Sequence, residues 1–208
     1  MFLVLDFTQS LRLSLINKNQ YFSKELKSKK NISEILILEI DKFLKKSKTN
    51  IKKIKSIVVI TGPGSFTGIR SALTYAKSLK LILKLNVFGL SKFEIINSKI
   101  KKSKLNENQC IFLHFKDNQF FTQSFIGLKA TGEVKLINLD NEGLKYNNQT
   151  TYIYDDILFE ENLNNNIRGN LGKNLLLIDY NLIELEQIIL KNTIDCSDPK
   201  PLYISNYY

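Results

Sequence analysis

Gly62-Pro63-Gly64-Ser65-Phe66-Thr67-Gly68-Ile69-Arg70 decides how this chain is read. Three glycines and a proline fall within seven positions, between the β-branched run Ile57-Val58-Val59-Ile60 and a long apolar segment. Glycine reaches positive φ, and proline pre-sets its own φ for a tight turn. The stretch therefore predicts a buried strand, a sharp joint and a helix from Thr67 to about Lys84. Ser65 or Thr67 can cap that helix by accepting from its first free amides. Those amides and the helix dipole could hold an anion, with Asp6, Gly62, Gly64, Ser65, Thr67, Gly68 and Arg70 as the contact set.

The loop departs from both nucleotide templates. A Walker A loop ends in Gly-Lys-Ser/Thr, because the lysine reaches the outer phosphates; here Gly68 is followed by Ile69 and Arg70. In the dinucleotide fingerprint the third glycine would come one residue earlier, and no acid ends the next strand, Val87 to Leu90. Asp6 could hold a metal-bound water, but its ordinary role is a strand-end turn residue bonded to local amides. His114 is the single histidine and cannot make a zinc site alone. Cys110 and Cys196 have no metal-type spacing and read as small half-buried residues. No catalytic residue and no metal ligand set is assigned.

Around the loop the pattern is α/β. Phe2–Asp6, Leu11–Ile16 and Gln20–Leu26 read as strands, Asn31–Lys48 as a helix and Ile57–Thr61 as a strand. Val87–Leu90 follows as a strand, then a helix from Ser91 to about Ile100. The lysine-rich run Lys99–Gln109 marks a boundary, which gives domains of 1–104 and 105–208. The second half restarts with strands at Cys110–Phe115, Phe120–Ile126, Glu133–Ile137 and Thr150–Tyr154. A helix at Asp155–Leu163, a strand at Leu175–Asp179 and a helix at Leu182–Leu190 complete it. Both halves thus share an order of elements, as two α/β lobes would.

The helix after the loop carries more apolar surface than one buried face needs. Ile69, Ala72, Leu73, Ala76, Leu79 and Leu83 form one stripe, and Tyr75, Ile82 and again Leu79 a second. Ile37 and Leu38 lie off the main stripe of the preceding helix. One stripe suffices for an ordinary surface helix. The surplus predicts a helical interface built from these ten residues, or burial on two sides within the chain itself.

The 208 residues carry a net charge of +10, with 30 Lys and Arg against 20 Asp and Glu. Arginine occurs only at Arg12, Arg70 and Arg168, and Asn and Ile are abundant, as AT-rich codon usage would produce. The lysine clusters Lys42–Lys55 and Lys99–Lys104 read as solvated helix ends. The absence of a long apolar run, and an acid as early as Asp6, predict a cytoplasmic chain without a membrane span.

The nine-residue loop, followed by Ala72, Ala76, Lys77 and Leu79, resembles the signature G-P-G-S-F-T-G-[IV]-R of the TsaB (YeaZ) family. Leu5-Asp6-Phe7-Thr8 is similar to that family's opening strand, and Leu90-Ser91-Lys92-Phe93-Glu94 to its G-[IV]-S-S-L-E. Asp117-Asn118-Gln119 stands where the family has D-A-R. Pro201-Leu202-Tyr203-Ile204 resembles its closing P-x-Y-L-R. The arginines of the last two motifs are replaced here by Gln119 and Ser205.

The resemblance implies two actin-like (ASKHA, ribonuclease H-like) lobes with mixed sheets and flanking helices. It implies a non-catalytic subunit in the making of threonylcarbamoyladenosine at position 37 of tRNAs that read ANN codons. The implied partners are a TsaD homologue gripped through the N-terminal helices, the TsaE ATPase, a TsaC-type adenylate synthase and, through the complex, tRNA. Self-association through the same surface is also implied. ATP and a metal ion belong to the partner subunits, with no cofactor on this chain. The competing expectation is a free-standing ASKHA enzyme, either an ATP-dependent phosphotransferase or a glycoprotease-like hydrolase.

Overall fold

A computed structural model of the chain describes residues 1–17, 20–26, 32–100, 108–138, 150–154, 175–178, 185, 198–202 and 204. They fall into two compact units. One is Met1–Lys92 with Asn181–Tyr203; the other is Phe93–Tyr180 with Ile204–Tyr208. The first break thus comes after Lys92, earlier than the expected boundary at 104/105, and the chain from Asn181 returns to the first unit. That return has a visible anchor: the Leu202 amide donates to the Thr61 carbonyl at 2.9 Å.

The first unit is built on a five-stranded mixed sheet. Its strands are β1 (Phe2–Asp6), β2 (Leu11–Asn17), β3 (Gln20–Leu26), β4 (Ser56–Ile60) and β5 (Asn86–Leu90), in the order β3-β2-β1-β4-β5. The first three form an antiparallel meander, while β4 and β5 run parallel to β1. β1 and β4 are continuous apolar runs because neighbours flank them and both faces are buried. Leu3, Ile57 and Val87 share one register row and face the helices.

Two helices cover that face. α1 (Ile32–Lys46) buries Leu36, Ile40, Phe43 and Leu44, a spacing that puts all four on one side. α2 (Phe66–Leu83) buries Gly68, Ile69, Ala72, Leu73 and Ala76. All of these but Gly68 join Leu3, Leu5, Leu13 and Leu15 in one core. The Phe22 and Phe43 rings meet at 5.3 Å, which ties the edge strand β3 to α1. A single-turn 3-10 helix, Ile51–Lys53, leads into β4.

In the second unit the strands are β6 (Asn108–Lys116), β7 (Gln119–Ile126), β8 (Lys129–Ala130), β9 (Lys135–Asn138), β10 (Thr150–Tyr154) and β11 (Leu175–Leu177). Their order is β11-β10-β6-β7-β8, and β9 also pairs with β7. β6 and β7 are antiparallel, and β10 and β11 run parallel to β6 and to each other. Each unit therefore sets an antiparallel β-meander beside two strands parallel to its first one. This repeat is the order expected of an actin-like α/β fold. The β6–β7 hairpin turns on Asp117 at φ 49°, a conformation that Asp tolerates.

Boundaries moved for local reasons. α2 begins at Phe66 because Ser65 is its cap. The helix after β5, α3 (Lys92–Ser98), stops short of Ile100, and the Lys99 and Ile100 amides bond three residues back instead of four. β8 was not anticipated, since two exposed residues carry no periodicity. The expected helices Asp155–Leu163 and Leu182–Leu190 and the linker 101–107 lie outside the described residues, except for Leu185, which is helical.

Candidate functional site

The signature loop is a joint packed on the turn that follows β1. The Ser65 amide donates to the Thr8 carbonyl at 2.6 Å, and the Gly68 amide donates to the Ser65 hydroxyl at 3.2 Å. The Ile69 amide bonds the Ser65 carbonyl at 2.9 Å. Two glycines are required by close approach. A Cβ on Gly64 would strike the Thr8 carbonyl oxygen and lie 2.6 Å from the Thr8 Cβ, and one on Gly68 would strike the Phe7 carbonyl oxygen. Gly64 also sits at φ 151°, and the Gly62–Pro63 peptide is cis.

Asp6 belongs to the same joint. It is 4% exposed, and its Oδ1 accepts from the Thr8 hydroxyl at 2.6 Å and the Thr8 amide at 3.2 Å. The carboxylate thereby shapes the turn on which Gly64 and Ser65 rest. The Gly62 carbonyl accepts from the Lys92 amide at 2.8 Å. Over the joint passes the closing segment, where a Cβ on Gly89 would lie 2.6 Å from Pro199. Lys77 on α2 meets Asp198 at 2.6 Å and holds that segment down. Tyr203 and Ser205 of the closing motif lie outside the described residues.

Thr67 and Arg70 are not part of the joint. Both lie exposed on the first turns of α2, and the Arg70 guanidinium rests 3.6 Å from the Phe66 ring centroid. They line an apolar groove of about 650 Å³ between α1 and α2. Its walls are Leu36 and Ile37 from α1 and Phe66, Tyr75, Leu79 and Ile82 from α2, with Thr74 and Ser78 among its polar positions. Ile37 and Ile82 are 70% and 73% exposed. Burial and the charge of Asp41 push the Tyr75 phenol above its usual value.

The ten residues expected at a helical interface divide here. Ile37, Tyr75, Leu79 and Ile82 line the groove, and Leu38 is exposed outside it. Ile69, Ala72, Leu73 and Ala76 are corrected: they are almost fully buried in the core of their own unit and offer a partner no surface. The small alanines let α2 approach the sheet closely. Leu83 packs against the same core. Sequence reasoning missed Phe66, Thr74, Ser78 and the exposed Leu81, because Ser and Thr carry no stripe signal.

The remaining reactive groups are locally occupied. His114 Nε2 lies 3.0 Å from the Asp117 carbonyl oxygen, and its ring packs on Phe120. Burial raises the Cys110 thiol, which lies 3.0 Å from the Thr122 hydroxyl. Cys196 lies outside the described residues. Among the described residues no three His, Cys, Asp or Glu side chains cluster as metal ligands. Nor, among them, is any helix long and apolar enough to cross a membrane.

Residues 25–113, which span α1, the joint and α2, match the family model described as tRNA N6-adenosine threonylcarbamoyltransferase, TsaD. The tRNA threonylcarbamoyladenosine biosynthesis protein TsaB of Buchnera aphidicola subsp. Acyrthosiphon pisum is 30% identical over 107 residues, 51% of this chain and 48% of that protein. Its counterpart from subsp. Schizaphis graminum is 26% identical over 55% of this chain and 54% of that protein. Over the matched half, this chain is similar to TsaB proteins. The matches span about half the length of these curated relatives. The fold extends further. YeaZ from Pseudomonas aeruginosa superposes with a TM-score of 0.65 at 13% identity, covering 98% of this chain and 99% of that one. A second Pseudomonas aeruginosa structure, described as similar to peptidase YEAZ, gives 0.67 at 98% coverage of both chains. The joint and the α1–α2 groove both fall inside the matched region.

Proposed function

We propose that this chain is a non-catalytic subunit in the biosynthesis of tRNA threonylcarbamoyladenosine, working in the cytoplasm. It docks a TsaD homologue on the α1–α2 groove, and the pair recruits the TsaE ATPase. A TsaC-type synthase supplies the adenylate, and the product is the modified adenosine 37 of tRNAs that read ANN codons. ATP and metal chemistry belong to the partners. One observation carries the reading: in a chain similar to TsaB, two bare isoleucines, Ile37 and Ile82, flank an apolar groove on the matched helices. A second copy of this chain would use the same face when the partner is absent.

The joint supports the same reading. The loop amides of Ser65, Gly68 and Ile69 are consumed internally, and Asp6 bonds Thr8. This arrangement aims α2 rather than cradling a phosphate. Coexpression with a TsaD homologue, followed by reconstitution of the modification on unmodified tRNA with the TsaE and TsaC-type proteins, tests the proposal. Modification that requires this chain is the expected result. ATP turnover by the purified chain alone, abolished by Asp6→Asn with the fold intact, would instead establish the free-standing ASKHA enzyme.

A further inference from the structure

Charge along the N-terminal half of the sequence is segregated. The chain's 20 acids are spread along it, yet no Asp or Glu falls between Asp41 and Glu94. Lys46, Lys48, Lys52, Lys53, Lys55 and Lys84 fall inside this acid-free stretch, and all six are exposed. Topology gathers them at one end of the sheet. β1, β4 and β5 all start there, at Phe2, Ser56 and Asn86 in one register row. The Lys55 amide bonds the Met1 carbonyl, and the Asn86 amide bonds the Lys55 carbonyl. α1 ends at Lys46, and α2 ends at the left-handed cap Lys84.

Among the described residues none of these six lysines forms an ion pair, whereas Lys42 and Lys45 are matched by Glu39 and Asp41. Against these six positive charges the two helix C-termini contribute only about half a negative charge each. Beside the lysines opens a recess of about 320 Å³. Leu15 and Phe22 supply apolar wall, Asn17 and Gln20 supply amides, and Lys46 and Lys48 stand at its edge.

We propose that this strand-start end is an RNA-binding surface. The lysines follow the phosphate backbone, and the recess takes one unstacked base against Phe22. The combination of clustered exposed cations with an apolar, amide-rimmed slot fits a polynucleotide better than a smooth anionic surface. The choice of RNA rests on the tRNA-modification role proposed above. The surface lies on different residues from the α1–α2 groove, so the two readings fail separately.

The test uses the full chain and an unmodified tRNA transcript, titrated by fluorescence anisotropy across a salt series, with heparin and duplex DNA as controls. The quadruple variant Lys46→Ala, Lys48→Ala, Lys52→Ala, Lys53→Ala should bind tRNA at least tenfold more weakly. Its log–log salt slope should flatten by about 0.7–0.9 per lost phosphate contact. Phe22→Leu keeps an apolar wall; it should weaken a single-stranded oligonucleotide roughly fivefold and leave heparin unaffected. Circular dichroism checks that both variants fold. Unchanged tRNA affinity in the quadruple variant overturns the surface, as does equal affinity for duplex DNA or for anionic vesicles. Copurification with the TsaD homologue is scored in parallel. If RNA binding depends on the lysines while no TsaD homologue associates, the surface stands and the subunit role falls.

Discussion

The Ser65 amide donates to the Thr8 carbonyl at 2.6 Å, joining the cap of α2 to the turn that ends β1. This bond explains why the loop tolerates no side chain at Gly64. Gly64→Ala forces a Cβ onto Thr8 at a φ of 151°, and Gly68→Ala forces one onto Phe7. Each should cost roughly 2 kcal/mol or more in urea unfolding, because the blocking atoms are main chain and cannot swing aside. Stability unchanged in both variants would refute the joint.

Burial separates two kinds of substitution on α2. Ala76 is fully buried in the core, so Ala76→Asp places an uncompensated charge there and should destabilise the chain by upward of about 3 kcal/mol. Collapse of the thermal transition, with loss of soluble protein, is the expected readout. A folded Ala76→Asp chain would show that α2 is packed differently.

Ile82 is 73% exposed, and the opposite result is expected of it. Ile82→Asp combined with Ile37→Glu should leave the melting curve nearly unchanged, since exposed positions away from the core shift stability by about 0.5 kcal/mol or less. The same pair should weaken association with a TsaD homologue, or with a second copy, at least tenfold. Light scattering after size exclusion and a pull-down would measure it. Full association in the double variant counts against the groove.

Acid should loosen the contact between β3 and α1. Lys42 and then Lys24 donate to the Glu39 carboxylate, at 2.8 and 3.1 Å, and hold it below its ordinary value. A depressed carboxyl contributes its stability above the unfolded value, near pH 4.3, and loses it as pH falls through the folded value. Glu39→Gln should therefore reduce stability at pH 7 by under about 1 kcal/mol and flatten the decline below about pH 4. Parallel denaturation curves from pH 3 to 7 for both chains would expose the difference.

The strands of the first unit were legible because each had a local signature. β1 and β4 are uninterrupted apolar runs, and Ser65 with Gly68 marks a strand-to-helix joint whatever surrounds it. The repeated order of elements predicted two related α/β sheets, and the sheet topology shows that repeat. The edge strand β8 escaped, since Lys129 and Ala130 carry no pattern.

By itself the sequence determined the joint, the helices and the surplus of apolar residues on them, because turn geometry and helical periodicity are local. It could not say which apolar stripe of α2 meets the sheet. Ala72 and Ile82 are alike to a pattern; only packing sent one to the core and left the other beside the groove. The lysines were equally ambiguous as a row of letters. Their gathering at one end is a consequence of three parallel strand starts and two helix ends brought together by long-range pairing. Local chemistry wrote the elements, and tertiary packing decided which faces remain for partners.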